Sequence, residues 1–240
     1  MYDVSATWQT LINDNLHWFE AKVVIDEDGT PITLQESSIF DLSIEQRAFS
    51  GEQPTVGACL SSEINLKILR PTSNIPRMAS LSPYVRVTNG TTTSEWIPQG
   101  KYFIDTREYS QNDDNLEVVT IHGYDAMLMT EQDYPDTTHA WPMSDISVVQ
   151  EIAAAIGVGV DPRTTALMVN DYQISAPAGY SMREVLGNIA AMYCGNFVMN
   201  YDGNILLVTL DSYPPETSYI VTNNGNPITF GGDRILVSAI

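Results

Sequence analysis

The sequence predicts an α+β protein in which a β-rich, barrel-like or sandwich-like part comes first and a smaller part with two principal helices follows. Three observations support this class. Short apolar stretches with strand-like spacing fill residues 1–123. After Gly123 the spacing becomes helical, and helix-capping signals follow at Ser144 and Ser181. At 240 residues with 43% hydrophobic side chains, the chain can bury a substantial core.

The N-terminal elements are predicted from apolar runs separated by turn formers. A short helix is expected to begin near Thr7, and a strand follows it from Trp18 to Ile25. Residues 26–30 form a turn into a partner strand at Ile32–Leu34. The acidic residues of this turn lack the remaining ligands of a calcium loop, which favours a plain solvated turn. Further strands are predicted at residues 39–44, 58–60, 64–69 and 84–88.

Turn formers surround the last of these strands. Pro71, Pro76 and Pro83 are predicted to interrupt the chain before it, and Asn89-Gly90 to end it.

The most informative stretch, residues 94–128, predicts a β-hairpin that leads directly into a helix. Its strand formers lie at residues 102–104 and 118–121, on either side of a polar turn at residues 110–115. Gly123 is predicted to break the second strand. Asp125 is placed to cap a short helix.

Four aromatic side chains of this stretch are predicted to pack in the core and across strands, with a minority at a subunit interface. They are Trp96, Tyr102, Phe103 and Tyr124.

Two longer helices are predicted in the second part. The first spans residues 144–156, with Ser144 or Asp145 as its cap and Gly157 at its end. The second begins with the capping box of Ser181 and Glu184 and ends at Gly195.

A hairpin with an Asp-Gly turn follows these helices. Its strands are predicted at residues 197–201 and 205–210, and Pro214-Pro215 resembles a linker. The predicted organisation is therefore a β-barrel-like domain at 1–123 and a small α+β domain at 124–211. Residues 212–240 either start a further β domain or return strands to the first.

Charge and composition limit the classes of partner. The formal net charge is −19, with 30 acidic residues against 11 Lys and Arg. Nucleic-acid binding rests on basic side chains that neutralise phosphates, so stable binding is not expected. No signal peptide or membrane-spanning run is visible, and membrane insertion is not expected. Cys59 and Cys194 are expected as two buried free thiols rather than a disulfide.

The sequence offers no motif for catalysis, a cofactor or a metal. His17, His122 and His139 lie in unrelated contexts, and His122 is expected as a structural histidine of a strand. Asp113-Asp114 is expected to be solvated at a hairpin tip, and residues 231–233 (GGD) to form a turn. We therefore assign no catalytic, cofactor-binding or metal-binding residue, and we expect no enzymatic activity.

The central hairpin resembles the tail-hub proteins of tailed bacteriophages and prophages. In that family, a segment of the type W-I-P-x-G-x-Y-F-I-D precedes V-T-x-x-G-Y-D-A-M-L, and residues 96–105 and 119–128 match both. Three later segments resemble the same family, at residues 131–142, 179–197 and 228–235.

This resemblance implies a ring-forming domain similar to the tail-tube protein, joined to a small α+β domain. It implies a structural, homotrimeric hub that closes the tail tube at the tail tip and forms a ring for genome passage. The implied partners are the distal tail protein, the tail tube, the tape measure protein and a downstream fibre or lysin, with assembly in the host bacterial cytoplasm. The net charge predicts a lumen that is neutral to negative, with the basic residues mainly in salt bridges and in contacts with subunits or neighbours. The alternative is that the acidic residues only keep the surface soluble. One alternative to the hub is a tail-associated cell-wall hydrolase, although these residues contain no recognisable catalytic module. The other is a host carbohydrate-binding adhesin domain.

Overall fold

The computed structural model describes residues 4–26, 31–47, 49, 55–72, 74–76, 79–111, 116–135 and 140–210, together with four short strands between residues 218 and 237. Contacts group Met1–Val208 into one compact unit and Thr209–Ile240 into another. The predicted boundaries after residues 123 and 211 stay predictions. The predicted turns at 27–30 and 112–115, together with His139 and Gly231-Gly232, lie outside the described residues.

The first unit contains both helices and strands, which confirms the α+β class. Its α-helices are α1 (Ala6–Ile12), α2 (Asp145–Ala155), α3 (Pro162–Leu167) and α4 (Met182–Met192). Short 3-10 helices span Glu36–Ser38 and Ala126–Glu131. The strands are β1 (Trp18–Asp26), β2 (Ile32–Gln35), β3 (Ile39–Glu45), β4 (Glu63–Leu69), β5 (Ser80–Thr88), β6 (Ile97–Pro98), β7 (Tyr102–Gln111), β8 (Glu117–Asp125), β9 (Met143–Ser144), β10 (Gln173–Ile174), β11 (Gly195–Met199) and β12 (Ile205–Thr209).

The main sheet is antiparallel, with the strand order β2-β1-β5-β7-β8-β4-β3 and β6 paired to β5. It is not closed into a barrel, because β2 and β3 form its two edges and do not pair with each other. The barrel component of the prediction is therefore corrected. The physical reason is the 3-10 helix Glu36–Ser38, which turns the chain between the two strands so that β3 pairs with β4 instead.

The sheet is nevertheless strongly curled. The two edges are joined by only the short segment from Gln35 to Ile39, which spans at most about 14 Å when extended. Side chains of both edge strands, including Leu34 and Leu42, contact the same hydrophobic cluster. This first cluster is built from the inward faces of β1, β2, β4, β5, β7 and β8, with β3 packed against it.

Strand β5 is longer than predicted. Pro83 lies inside it, paired with Val23, and not before it. The Pro83 carbonyl accepts a hydrogen bond from Gln99 N at 2.9 Å. In an antiparallel strand the N–H and C=O of one residue point to the same side, so the missing N–H faces the loop after β6. There β5 changes partner from β6 to β7, and no ladder bond is lost.

Gly123 does not break β8, which continues through it to Asp125. A Cβ atom at Gly123 would lie 2.5 Å from the Phe103 carbonyl oxygen and 3.2 Å from Ile64 Cγ2. Glycine is needed here because β7 and β8 approach closely beside a bulge in β7, between Ile104 and Thr106.

A second hydrophobic cluster joins α2 and α4 to the β11–β12 hairpin. The predicted caps are confirmed: Ser144 caps α2, and Ser181 and Glu184 form a capping box at α4. The Asp202-Gly203 turn is also confirmed, with Gly203 at φ +79°.

The residue that ends α4 lies one position before the predicted one, Gly195. Cys194, at φ 50°, takes the left-handed conformation, and Gly195 already begins β11. This position leaves Cys194 exposed, whereas Cys59 is buried. Both thiols are free, but the expectation that both are buried is wrong for Cys194.

Residues 55–60 form a contact that the sequence does not reveal. This segment, between β3 and β4, lies parallel to β11 through the Cys59–Phe197 bridge. Hydrogen bonds of 2.8–2.9 Å link Gly57 N to Gly195 O and Phe197 N to Ala58 O. Asn196 adds two side-chain bonds, from Ala58 N at 2.9 Å and to Thr55 O at 2.6 Å. The first sheet and the second cluster are thereby joined.

Helix α3 is anchored by its buried N-cap, Asp161. The carboxylate accepts hydrogen bonds from Arg163 Nε at 3.0 Å, Arg163 Nη2 at 2.7 Å and Asn200 Nδ2 at 2.7 Å. These donors, Arg163 first, lower the pKa of Asp161 to about 2.

Asp161→Asn should lower the free energy of unfolding by about 2 kcal/mol at pH 7, because the charge-assisted bonds to Arg163 are lost. Because the pKa of Asp161 is lower in the folded than in the unfolded protein, its carboxylate stabilises the fold at pH values above the unfolded-state pKa, near 4. This contribution is lost as the pH falls through the folded-state pKa, near 2. Urea unfolding between pH 3 and 7 checks this prediction. The difference between the free energies of unfolding of wild type and variant should become smaller as the pH is lowered. A constant gap would contradict it.

The second unit is described only in two strand pairs. Ser218–Tyr219 pairs with Leu236–Val237, and Thr229–Phe230 pairs with Asp233–Arg234, both antiparallel.

Candidate interaction surfaces

The predicted cap at Asp125 marks the junction between the sheet and the second cluster. The buried Asp125 carboxylate accepts hydrogen bonds from Ser62 N at 2.8 Å and Met127 N at 3.0 Å. Burial raises the pKa of Asp125 to about 6, although both N–H donors favour the charged form. The short helix predicted after Asp125 is the 3-10 helix Ala126–Glu131.

Arg183 ties α4 to this junction. Its guanidinium donates to Cys59 O at 2.5 Å, to Ser61 Oγ at 3.1 Å and to Met127 O at 3.1 Å. Glu131 Oε1 lies 2.7 Å from Arg183 Nε. Burial raises the pKa of the Cys59 thiol to about 12, which disfavours the thiolate, the reactive form of cysteine. The bonds of Arg183 hold α4 against the segment before β4 and against the 3-10 helix Ala126–Glu131.

His122 lies on the outer side of β8, half-buried between two carboxylates. Its Nε2 is 3.5 Å from Glu63 Oε2, and its Nδ1 is 3.9 Å from Asp105 Oδ2. Tyr124 packs edge-on against the imidazole at 4.7 Å. His17 Nδ1 contacts the Asp14 carbonyl at 2.6 Å. None of these contacts supplies a hydroxyl or thiol nucleophile to either histidine.

The outer side of β3, β4, β8 and β7 is acidic. Cross-strand pairing aligns outward positions in rows, for example Asp41–Lys67–Thr120–Glu108. These rows and the adjacent bulge carry five carboxylates, with Lys67 and His122 as their basic members. We call this surface the acidic face; its carboxylates are Asp41, Glu45, Glu63, Asp105 and Glu108.

A shallow groove lies elsewhere on the sheet, between β1, β5 and the turn of the β11–β12 hairpin. We call it the Trp96 groove. Lys22 Nζ lies 4.5 Å from the Trp96 ring centroid and 4.9 Å from that of Tyr84, and the Arg86 guanidinium carbon lies 4.3 Å from Trp96. Arg86 also pairs with Glu20 at 2.6 Å. The groove is lined by Val24, Asp26, Ser80, Ser82, Tyr84, Trp96, Pro98, Gly100, Lys101, Tyr201 and Asp202.

The four predicted aromatic residues therefore have different surroundings. Tyr102 is fully buried in the first cluster, and Phe103 packs against the second. Tyr124 lies on the outer side beside His122, and Trp96 forms part of its groove. Asp113-Asp114 lies outside the described residues.

No group of three or more His, Cys, Asp or Glu side chains in the described ranges could hold a metal ion. Among those same residues, no helix has the length and hydropathy needed to cross a bilayer.

The fold is similar to that of two tail proteins of known structure. It is similar to the 43 kDa tail protein of prophage MuSo2 from Shewanella oneidensis, at 12% identity and a TM-score of 0.53, over 79% of this chain and 55% of that one. It is also similar to the tail protein from Neisseria meningitidis MC58, at 14% identity and a TM-score of 0.52, over 82% of this chain and 53% of that one. The chain thus spans about half the length of these structures. No family model and no curated protein matches its sequence.

Proposed function

We propose that the protein is a structural component of a phage or prophage tail, and that it forms a homotrimeric hub at the tail tip that closes the tail tube. The observation that carries this proposal is the similarity of the fold, over 79% and 82% of this chain, to the prophage MuSo2 tail protein and to the Neisseria meningitidis tail protein. The distal tail protein, tail tube, tape measure protein and a downstream fibre or lysin are its proposed neighbours in the virion.

The free edges of the sheet support a ring. An edge strand presents unpaired N–H and C=O groups that can pair with another chain. In β3, the register shift between Ile39 and Asp41 leaves Phe40 in a bulge, with 49% of its surface exposed. We propose that Phe40 packs against a different surface of the next subunit, which is the head-to-tail contact that closes a ring by rotation.

The acidic face supports a channel for the genome. Phosphates bind where Lys and Arg collect, and the rows of the acidic face bring five carboxylates together around Lys67 and His122. Of the basic side chains described, five are in ion pairs: Arg47, Arg70, Arg86, Arg163 and Arg183. We propose that the acidic face lines the bore, which lets DNA pass without gripping it.

We also propose that the chain has no hydrolytic activity of its own. Its described histidines contact carboxylates, a tyrosine and a carbonyl rather than a nucleophile. Purified protein incubated with peptidoglycan and with peptide substrates should release no product above background. Turnover that a single substitution abolishes would overturn this.

Phe40→Asp should reduce trimer formation, because a charge at the contact must be desolvated when the ring closes. Native mass spectrometry, of the protein alone and with its tail neighbours, should give a trimer for wild type and a shift toward monomer for the variant. Val169→Asp is the matched control, since Val169 is 75% exposed but lies in the second part of the chain. A wild-type protein that stays monomeric inside an assembled tail tip would refute the ring.

A further inference from the structure

An open cavity beside the start of α4 brings together three aromatic side chains that the hub role does not use. We call it the Tyr180 cavity; its volume is about 640 Å³, and Tyr134, Trp141 and Tyr180 line it. Asp133 and Ser181 form an antiparallel bridge there. Next to this bridge, Tyr134 N donates to Tyr180 O at 2.9 Å, so the two tyrosines are cross-strand neighbours. Trp141 lies edge-on to Tyr134, with ring centroids 6.0 Å apart.

The two tyrosine rings have different roles in the cavity. Tyr180 is 50% exposed, and among the described residues no aromatic ring and no cationic side chain packs on it, so its ring is accessible from the cavity. Tyr134 is held in place, because its hydroxyl donates to Glu151 Oε2 at 2.5 Å. Burial, together with this bond, raises the pKa of Tyr134, so the phenol stays protonated and continues to donate. A phenol that donates to a carboxylate has a more electron-rich ring, which attracts a cation more strongly.

The charges of the cavity favour a positively charged ligand. Its described lining contains one charged side chain, the exposed Asp133, and no Lys or Arg. Aromatic ring faces carry negative partial charge, so the rings and the carboxylate attract the same kind of ligand. An anion would be repelled, and a neutral ligand would gain nothing from Asp133.

The remaining lining favours a cation that donates no hydrogen bonds. The Pro177 and Tyr180 carbonyls already accept bonds from Tyr180 N at 3.3 Å and Tyr134 N at 2.9 Å. A lysine ammonium has three N–H donors and a guanidinium has five, which this lining could match only in part, whereas a quaternary ammonium has none. Its methyl groups would instead contact apolar residues of the lining, namely Pro135, Ala176, Pro177 and Ala178.

We propose that the Tyr180 cavity binds a quaternary ammonium group, such as the trimethylammonium of choline, either free or carried on a larger molecule as a phosphocholine ester. The site lies within Met1–Val208 and includes no residue of the sheet edges at β2 and β3. A failure of this proposal would leave the trimer prediction untouched, and the reverse also holds.

The test compares choline with its uncharged isostere, 3,3-dimethylbutan-1-ol, on the full chain. Calorimetry and NMR titration should show saturable binding of choline at millimolar concentration. The alcohol should bind about tenfold more weakly, because it has the same shape but no charge. Phosphocholine distinguishes the two sources: it should bind more tightly than choline if the natural ligand is an ester, and less tightly if choline itself is the ligand.

Variants of Tyr180 separate the ring from the hydroxyl. Tyr180→Leu should weaken choline binding about tenfold, because it removes an accessible ring, whereas Tyr180→Phe keeps the ring and should bind choline as wild type does. Tyr109→Leu is the matched control, since Tyr109 is 51% exposed but lies outside the cavity, and its loss should leave binding unchanged.

Chemical shifts of the wild-type protein locate the site without relying on the folding of any variant at Tyr180. The Trp141 indole N–H signal, assigned through Trp141→Phe, should move on addition of choline, while the signals of Trp8 and Trp18 should not. The proposal is overturned if choline does not bind at millimolar concentration, if the uncharged isostere binds as tightly, or if arginine amide binds more tightly than choline. It is also overturned if Tyr109→Leu weakens binding as much as Tyr180→Leu does.

Discussion

Gly123→Ala should lower the free energy of unfolding by about 3 kcal/mol, at the upper end of what overpacking usually costs. The added Cβ would lie 2.5 Å from the Phe103 carbonyl oxygen, which belongs to the backbone of the neighbouring strand and cannot rotate away. Strands β7 and β8 must then separate beside the bulge, and the pairing of Ile104 with residue 123 is disturbed. Denaturant unfolding followed by tryptophan fluorescence measures the loss.

Thr120→Ala is the matched control for this substitution. Thr120 lies on the same strand with its side chain on the exposed side, so its replacement should change stability by no more than about 0.5 kcal/mol. A Gly123→Ala protein as stable as the Thr120→Ala protein would mean that β7 and β8 do not approach as closely as described.

Tyr193→Phe should also lower the free energy of unfolding by about 3 kcal/mol, because it leaves one oxygen of a buried carboxyl group without its hydrogen-bond donor. Asp145 is fully buried at the start of α2, and its Oδ2 accepts the Tyr193 hydroxyl at 2.5 Å. Its other oxygen accepts Ile146 N at 2.8 Å. Burial, together with the bond to Asp145, raises the pKa of Tyr193, so the phenol stays protonated and continues to donate.

The control for this prediction removes a tyrosine hydroxyl from the surface. Tyr180 is 50% exposed, and Tyr180→Phe should leave the free energy of unfolding within about 0.5 kcal/mol of wild type. Thermal unfolding of both variants at pH 7 compares them directly. Equal stability of Tyr193→Phe and Tyr180→Phe would show that the Asp145 carboxylate finds another donor.

Features governed by near neighbours in the chain could be predicted from the sequence. The caps at Ser144 and Ser181, the Asp202-Gly203 turn and the alternation of β4 each depend on residues a few positions apart. The pairing of β7 with β8 belongs to the same class. Helix α3 is absent from the prediction, although Asp161-Pro162 carries a signal for it, an N-cap followed by proline at the first helical position.

Features set by distant neighbours could not be predicted. The sequence predicts a strand break at Gly123, because local spacing does not show how closely the Phe103 carbonyl approaches this residue. The sequence predicts an interruption at Pro83, because it does not show that β5 changes partner there. The Trp96 groove brings together β1, β5 and the turn at residues 201–202, and only the fold places those segments side by side.

The docking of residues 55–60 on β11 has a consequence for the order in which the protein folds during synthesis. The Ala58 N–H donates a hydrogen bond to the side chain of Asn196, which lies 138 positions later in the chain. When the strands of the main sheet have just been synthesised, residues 55–60 have no strand to pair with, because β11 has not yet left the ribosome. The loop between β3 and β4, the longest in the main sheet, can therefore dock only after α4 and β11 have been synthesised. A fragment ending at residue 123 would therefore carry an undocked loop, and a fragment starting at 124 would expose the side of β11 that this loop covers.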